Sequence, residues 1–145
     1  MAASTEDAES RSGGTMAEHP NAALIRRGFA AFNAGDVATL SEIIAPDAVQ
    51  RMPGDNRFSG EHKGLENILT MYGTIGEMTG GSFQAVLEDV YANDHRAVAI
   101  YRSQGTRDSR TIDERTALVF EIMDGRAIEM DEMPLNGEAN DDFWA

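Results

Sequence analysis

The chain has 145 residues, 41% of them hydrophobic and 7% aromatic, which is the composition of one globular domain. Twelve Lys and Arg against 25 Asp and Glu leave a net charge of −13. Such a surface repels phosphate backbones and anionic lipid, so neither nucleic acid nor a membrane is expected as a partner. With no Cys, disulfides, thiol catalysis and zinc–thiolate sites are excluded. The three His are scattered, so no metal is expected.

Residues 1–18 are small and polar throughout, and read as a disordered tail ahead of a domain over residues 19–145. The tail has neither a basic start nor an apolar core, so it does not read as a secretory signal. A cytoplasmic address is expected. Pro20 suits an early helical position and Asn21 can cap. Leu24, Ile25, Gly28, Phe29 and Phe32 then recur at helical spacing up to Asn33-Ala34-Gly35. Asp36 caps a second helix whose apolar face is Val37, Leu40, Ile43 and Ile44. Residues 48–52 read as a short strand and Pro53-Gly54-Asp55-Asn56 as a turn. A third helix is predicted over residues 65–78, closed by Gly80-Gly81.

Beyond Gly81 the period falls from 3.6 to 2. Residues 83–92, 97–104, 111–123 and 126–133 read as strands, with Asp124-Gly125 as a hairpin signal. Pro134 and an acidic tail complete the chain. Helices first and an antiparallel meander after them imply an α+β fold.

Four segments resemble the nuclear transport factor 2-like superfamily in its SnoaL-like branch, which includes polyketide cyclases. They are Ala30-Ala31-Phe32-Asn33-Ala34-Gly35-Asp36, Asp47-Ala48-Val49-Gln50-Arg51-Met52-Pro53-Gly54, Ser59-Gly60-Glu61-His62-Lys63-Gly64, and the hairpins around Thr106–Thr111 and Met123–Arg126. The resemblance runs from Pro20 to about Trp144. It implies a cone, a curved antiparallel sheet wrapped around three N-terminal helices with a pocket at the open end. It also implies a homodimer through the outer sheet face.

Three chemistries of that superfamily can be compared with these residues. At the positions that serve ketosteroid isomerases the chain has Gly28, Met52 and Leu118, none of which can supply the tyrosine, base or acid. Limonene-epoxide hydrolases use an Arg-x-Asp strand and a water-activating carboxylate. Here Arg102 and Glu132 match the arginine and that carboxylate, while Gln104 replaces the acid. Glu114 or Asp131 could supply the missing proton. Polyketide cyclases use an acid near the end of the last strand, where Glu132 and Asp131 stand.

Strand alternation discriminates between neighbours. Met130 and Ile128 share the parity of Glu132, which puts Glu132 inside. Val98 and Ile100 put Arg102 and Gln104 on the apolar face and Tyr101 outside. Ile112, Leu118, Phe120 and Ile122 put Glu114 inside. The expected site is therefore Glu132 as acid/base with Arg102 as electrostatic partner. Arg51 and Gln104 position substrate oxygens, and Glu114, Tyr72, Leu118 and Trp144 complete the substrate contacts. The expected function is a cofactor-free cyclase, isomerase or hydrolase acting on a small, mostly apolar organic molecule. A non-catalytic binding module and an epoxide hydrolase with an altered acid are the alternatives.

Overall fold

A computed structural model describes residues 18–145. The expected tail lies outside them apart from Glu18, whose carboxylate accepts from Arg26 Nε at 2.7 Å. The fold is α+β, with four helices and a six-stranded curled, unclosed sheet among the described residues. Helix α1 spans Pro20–Ala34, α2 Val37–Ile43, α3 Leu65–Met78 and α4 Gly137–Trp144. The strands are β1 Ile44–Met52, β2 Gly60–Lys63, β3 Gln84–Ala92, β4 Arg96–Arg107, β5 Arg110–Met123 and β6 Arg126–Pro134.

Local chemistry sets the helix ends. His19, rather than Asn21, caps α1: its ring Nδ1 accepts from Asn21 N at 3.0 Å, and Pro20 opens the first turn. Gly35 ends α1 in the left-handed region, at φ 67°. Asp36 then caps α2, accepting from the Thr39 backbone N–H at 3.1 Å and its hydroxyl at 2.7 Å. These two bonds hold the Asp36 carboxyl below its usual range.

The sheet order is β2-β1-β6-β5-β4-β3. All neighbours are antiparallel except β1 and β6, which run parallel with Gln50 beside Met130. The expectation of a wholly antiparallel sheet is corrected there. The chain passes from β1 through β2, α3 and the β3–β6 meander before returning to the β1 edge, so the last strand lies alongside the first.

The concave face of the sheet wraps α1 and α3. Ala48, Ala85, Ala97, Ala99 and Ala127 on that face are all buried, and their small side chains let the helices approach. Ile25 and Ile68, at 1% and 0% exposed, anchor the two helices against it. Phe29 meets Tyr101 edge-on at 5.2 Å between ring centroids.

Two elements were not expected. Residues 60–63 add an edge strand, and the acidic C-terminal stretch forms α4. Asn136 caps α4 by accepting from Ala139 N at 3.1 Å. Phe143 and Trp144 are buried at 2% and 5%, in a second apolar cluster with Phe58, Met71, Ile75 and Ile112. Arg57 Nε and Arg107 donate to the carbonyls of Trp144 at 3.0 Å and Phe143 at 2.7 Å, satisfying the last turn of α4. Asp141 accepts from the Asp55 backbone N–H at 3.0 Å and from Asn56 Nδ2 at 2.8 Å, tying α4 to the turn after β1.

Gly54 in that turn has φ 84°, and a Cβ there would overlap the Asp141 carboxylate. Gly54→Ala is expected to destabilise the protein by about 1–3 kcal/mol, the cost of a side chain held in the left-handed region. Urea unfolding measures this. Unchanged stability would show that the Asp141 tie does not constrain the turn.

Candidate functional site

Inside the cone, α1, α3, α4 and the concave sheet face enclose a cavity with about 830 Å³ of empty space, its open mouth included. Its inner end is apolar, formed by residues such as Ile25, Phe29, Leu40, Ile43, Phe120 and Met130. The polar lining consists of Gln50, Tyr72, Tyr101, Ser103, Glu132 and Asn140. Glu132 is the sole charged side chain lining it among the described residues.

Glu132 projects from β6 beside Leu118 of β5. Tyr101 on β4 reaches across β5, and its hydroxyl donates to Glu132 Oε1 at 3.0 Å. Loss of hydration raises the Glu132 carboxyl, and the Tyr101 hydrogen bond offsets this in part, leaving it pushed up to about 7. Glu132 therefore exchanges a proton near neutral pH, where a general acid/base works best. Burial and the adjacent Glu132 charge raise Tyr101 well above an ordinary phenol, so it stays protonated as a donor. Tyr72 on α3 is raised first by burial and then by the Glu132 charge. Its hydroxyl donates to Gln50 Oε1 on β1 at 2.6 Å.

Four of the expected site residues meet at this cavity: Glu132, Tyr72, Leu118 and Trp144. Trp144 also packs in an aromatic cluster with Phe58, Phe83 and Phe143, at 5.1, 5.7 and 4.6 Å between centroids.

Arg102, Gln104 and Arg51 do not reach the cavity. Arg102 Nε donates to Asp113 Oδ1 at 2.8 Å on the outer sheet face, and Gln104 Nε2 donates to the same oxygen at 3.3 Å. These bonds, Arg102 first, hold Asp113 below the usual carboxylate range. Arg51 is also on the outer face, donating to Glu61 at 3.1 Å, Glu129 at 2.9 Å and Asp131 at 3.3 Å. Glu114 shares the inner parity of Ile112 and Thr116 but is partly exposed and does not line the cavity.

The error on β4 has a physical cause. Its inner set is Ala97, Ala99, Tyr101 and Ser103, all buried, while the larger Val98 and Ile100 lie half-buried on the outer face. Size pointed the wrong way because the inner face must make room for α1 and the cavity. Charge would have pointed correctly: Arg96 and Arg102 share the parity of Val98, whereas the set from Ala97 to Gly105 carries none. On β6 a bulge at Ile128 breaks the alternation, but Met130 and Glu132 remain in phase beyond it. The sequence reading does not reach Gln50, because it gives the oxygen-positioning role on this segment to the neighbouring Arg51. In the fold Ala48 and Gln50 are buried, with Met52 at the cavity wall.

The family model of the SnoaL-like domain matches residues 25–130. This chain is a member of the SnoaL-like family. Proteins of Mycobacterium tuberculosis and Mycobacterium bovis, both described as uncharacterised, are 33% identical over 131 residues, covering 90% of this chain and all of each relative. The structure of Bal32a, from a soil-derived mobile gene cassette, is 40% identical with a TM-score of 0.85, covering 87% of this chain and 97% of that one. IdmH of Streptomyces antibioticus, described as a candidate polyketide cyclase, shares the fold at 24% identity and a TM-score of 0.69, over 81% of this chain and 94% of its own.

Because burial raises Glu132 in the fold, the folded state keeps a proton that the unfolded chain loses near pH 4. The stability this proton contributes is present below about pH 4 and is lost as pH rises to about 7. Glu132→Gln, which cannot ionise, should escape that loss. Its stability relative to the parent should grow by up to about 3 kcal/mol between pH 4 and 8. Denaturant unfolding across that range measures the difference. A pH-independent difference would mean that the carboxyl is hydrated.

Proposed function

We propose that this protein is a cofactor-free enzyme that moves a proton on a small, mostly apolar organic molecule held in the cone, with Glu132 as the acid/base. The observation that carries the reading is a carboxyl, single among the described residues, at the wall of an apolar cavity and poised near neutrality. Tyr101 is its partner in the role first assigned to Arg102. As a phenol it steadies the carboxylate without bringing a full positive charge, so Glu132 remains basic enough to accept a proton. The likeness to IdmH supports a reaction of the cyclase class. Gly28, Met52 and Leu118 line the cavity without acid, base or phenol, which supports leaving true ketosteroid isomerase chemistry aside.

The epoxide hydrolase alternative has less support. Its acid–arginine–acid set would need Arg102 and a second carboxyl in the cavity, and neither lines it among the described residues. The binding-module alternative keeps one observation in its favour, the lack of a second acid beside Glu132 among the described residues.

A nitrobenzisoxazole separates catalysis from binding. A general base removes its ring C–H proton, the N–O bond breaks, and a coloured cyanophenolate is released without any co-reactant. Turnover should rise as pH passes about 7 and fall at least about 100-fold in Glu132→Gln. Arg102→Ala, on the outer face, should stay within about twofold of the parent. Trp144 is the sole tryptophan of the chain and lines the cavity, so its quenching reports occupancy. A quenched cavity without Glu132-dependent turnover would leave the binding module as the reading.

A homodimer through the outer sheet face is part of the same proposal. That face carries Val98 opposite Val119 and Ile100 opposite Ala117, with Val86, Tyr91 and Met133 exposed by 42%, 63% and 46%. Ion pairs such as Arg102–Asp113, Arg115–Glu88 and Arg96–Glu121 rim it. An apolar patch with a polar rim has the anatomy of an interface. Tyr101, first expected on this face, lies inside instead. Sedimentation should give twice the 15.7 kDa chain mass, and Val119→Arg should give the monomer. A monomeric parent protein would remove this part of the proposal.

A further inference from the structure

The apolar cavity has a second polar feature whose hydrogen-bonding capacity is unspent. Gln50 is 3% exposed and lines the wall. Its Oε1 accepts from the Tyr72 hydroxyl at 2.6 Å, while its Nε2 meets only the thioether sulfur of Met52 at 3.6 Å among the described residues. A thioether is a weak acceptor, so two amide protons are effectively free in a buried place. The reverse orientation would turn the amide oxygen toward the sulfur lone pairs and leave the Tyr72 proton unused. Tyr72 therefore fixes which end of Gln50 is presented.

Buried donors without a proper acceptor are costly, and proteins retain few of them. Gln50 also sits close to Glu132. It pairs with Met130 across β1 and β6, and the next inward residues on those parallel strands are Met52 and Glu132. A second buried amide, Asn140 of α4, lines the same cavity at 8% exposed. Its side chain has no hydrogen-bond partner among the described residues. No Lys, Arg or His lines the cavity among the described residues, so nothing there would neutralise an anionic ligand beside Glu132.

We infer that Gln50 recognises the ligand, and that the group it recognises is an uncharged hydrogen-bond acceptor such as a ketone, ester or amide carbonyl, held with its apolar body toward the inner end of the cone. Tyr72 is the positioning residue for that amide. The proposal rests on the reading of the cavity as a small-molecule site and adds the chemical class of the ligand. A carbonyl in this place brings its adjacent C–H bonds toward the Glu132 carboxylate. A carboxylate ligand is disfavoured by repulsion and by desolvation without a counter-charge.

Three compounds with one ring and different heads test this: cyclohexyl methyl ketone, cyclohexanecarboxylate and ethylcyclohexane. Binding to the full chain is read from Trp144 emission at pH 8. The ketone should bind at least about tenfold more tightly than the carboxylate. Gln50→Leu should weaken the ketone about tenfold and leave ethylcyclohexane within about twofold, since only one of them uses the amide. Retained ethylcyclohexane binding shows that the variant is folded, and Gln50→Met replaces it if Leu disturbs the core. Equal weakening of ketone and hydrocarbon would overturn the inference, as would a carboxylate that binds as well as the ketone, or no ketone binding to the parent protein. The catalytic proposal fails on a different result, turnover that does not depend on Glu132 in an occupied cavity.

Discussion

The fold depends on a concave sheet face built from small side chains. Ala85, Ala97, Ala99 and Ala127 occupy positions where a standard half-buried sheet would place Val or Ile. They let α1 and α3 sit deep in the curl, and they leave room that the helices do not fill. The larger branched residues of β4, Val98 and Ile100, are displaced to the convex side. The enclosed cavity and the apolar outer face thus have one origin, the reversal of side-chain size across the sheet.

That geometry also sets the electrostatics of the site. A carboxyl within an apolar cone loses most of its hydration, and the Tyr101 hydroxyl returns only part of it. The result is a group near neutrality rather than an ordinary surface acid. The charged residues on the convex side of β1, β4 and β6 follow the opposite rule. Arg51, Arg102, Glu129 and Asp131 lie on the convex face, partly exposed to solvent and held in ion pairs, Arg51 with Glu129 and Asp131 and Arg102 with Asp113. Among the described residues the charged lining is reduced to Glu132, while amides, phenols and a hydroxyl supply the remaining polar contacts.

The C-terminal stretch illustrates how composition can mislead. Its acids suggest a solvated tail, yet Phe143 and Trp144 among them are core residues, and Trp144 lines the cavity. Asp141 is spent on the β1–β2 turn, and arginines from distant segments take up the carbonyls of the last turn. Eight residues with two aromatics give too short a periodic signal to read as a helix. Packing against Phe58 and Ile112 makes the helix, and those partners come from elsewhere in the chain.

Local chemistry carried much of the architecture. The glycine and Asp signals at residues 35 and 36, the period of α3 and the turn at residues 124–125 all act within a few residues, so the sequence alone determined α1, α2, α3 and the meander. The apolar step to Met130 determined that Glu132 points inward. Tertiary structure decided which face of β4 is concave, because both faces carry apolar residues and alternation separates faces without naming them; the charges of Arg96 and Arg102 were the one local sign of it. Tyr101 entered the site and Arg102 left it on that decision. The β1–β6 pairing was likewise invisible, since it joins residues about 80 apart. That pairing sets Gln50 beside the strand of Glu132 and so brings the amide and the carboxyl together.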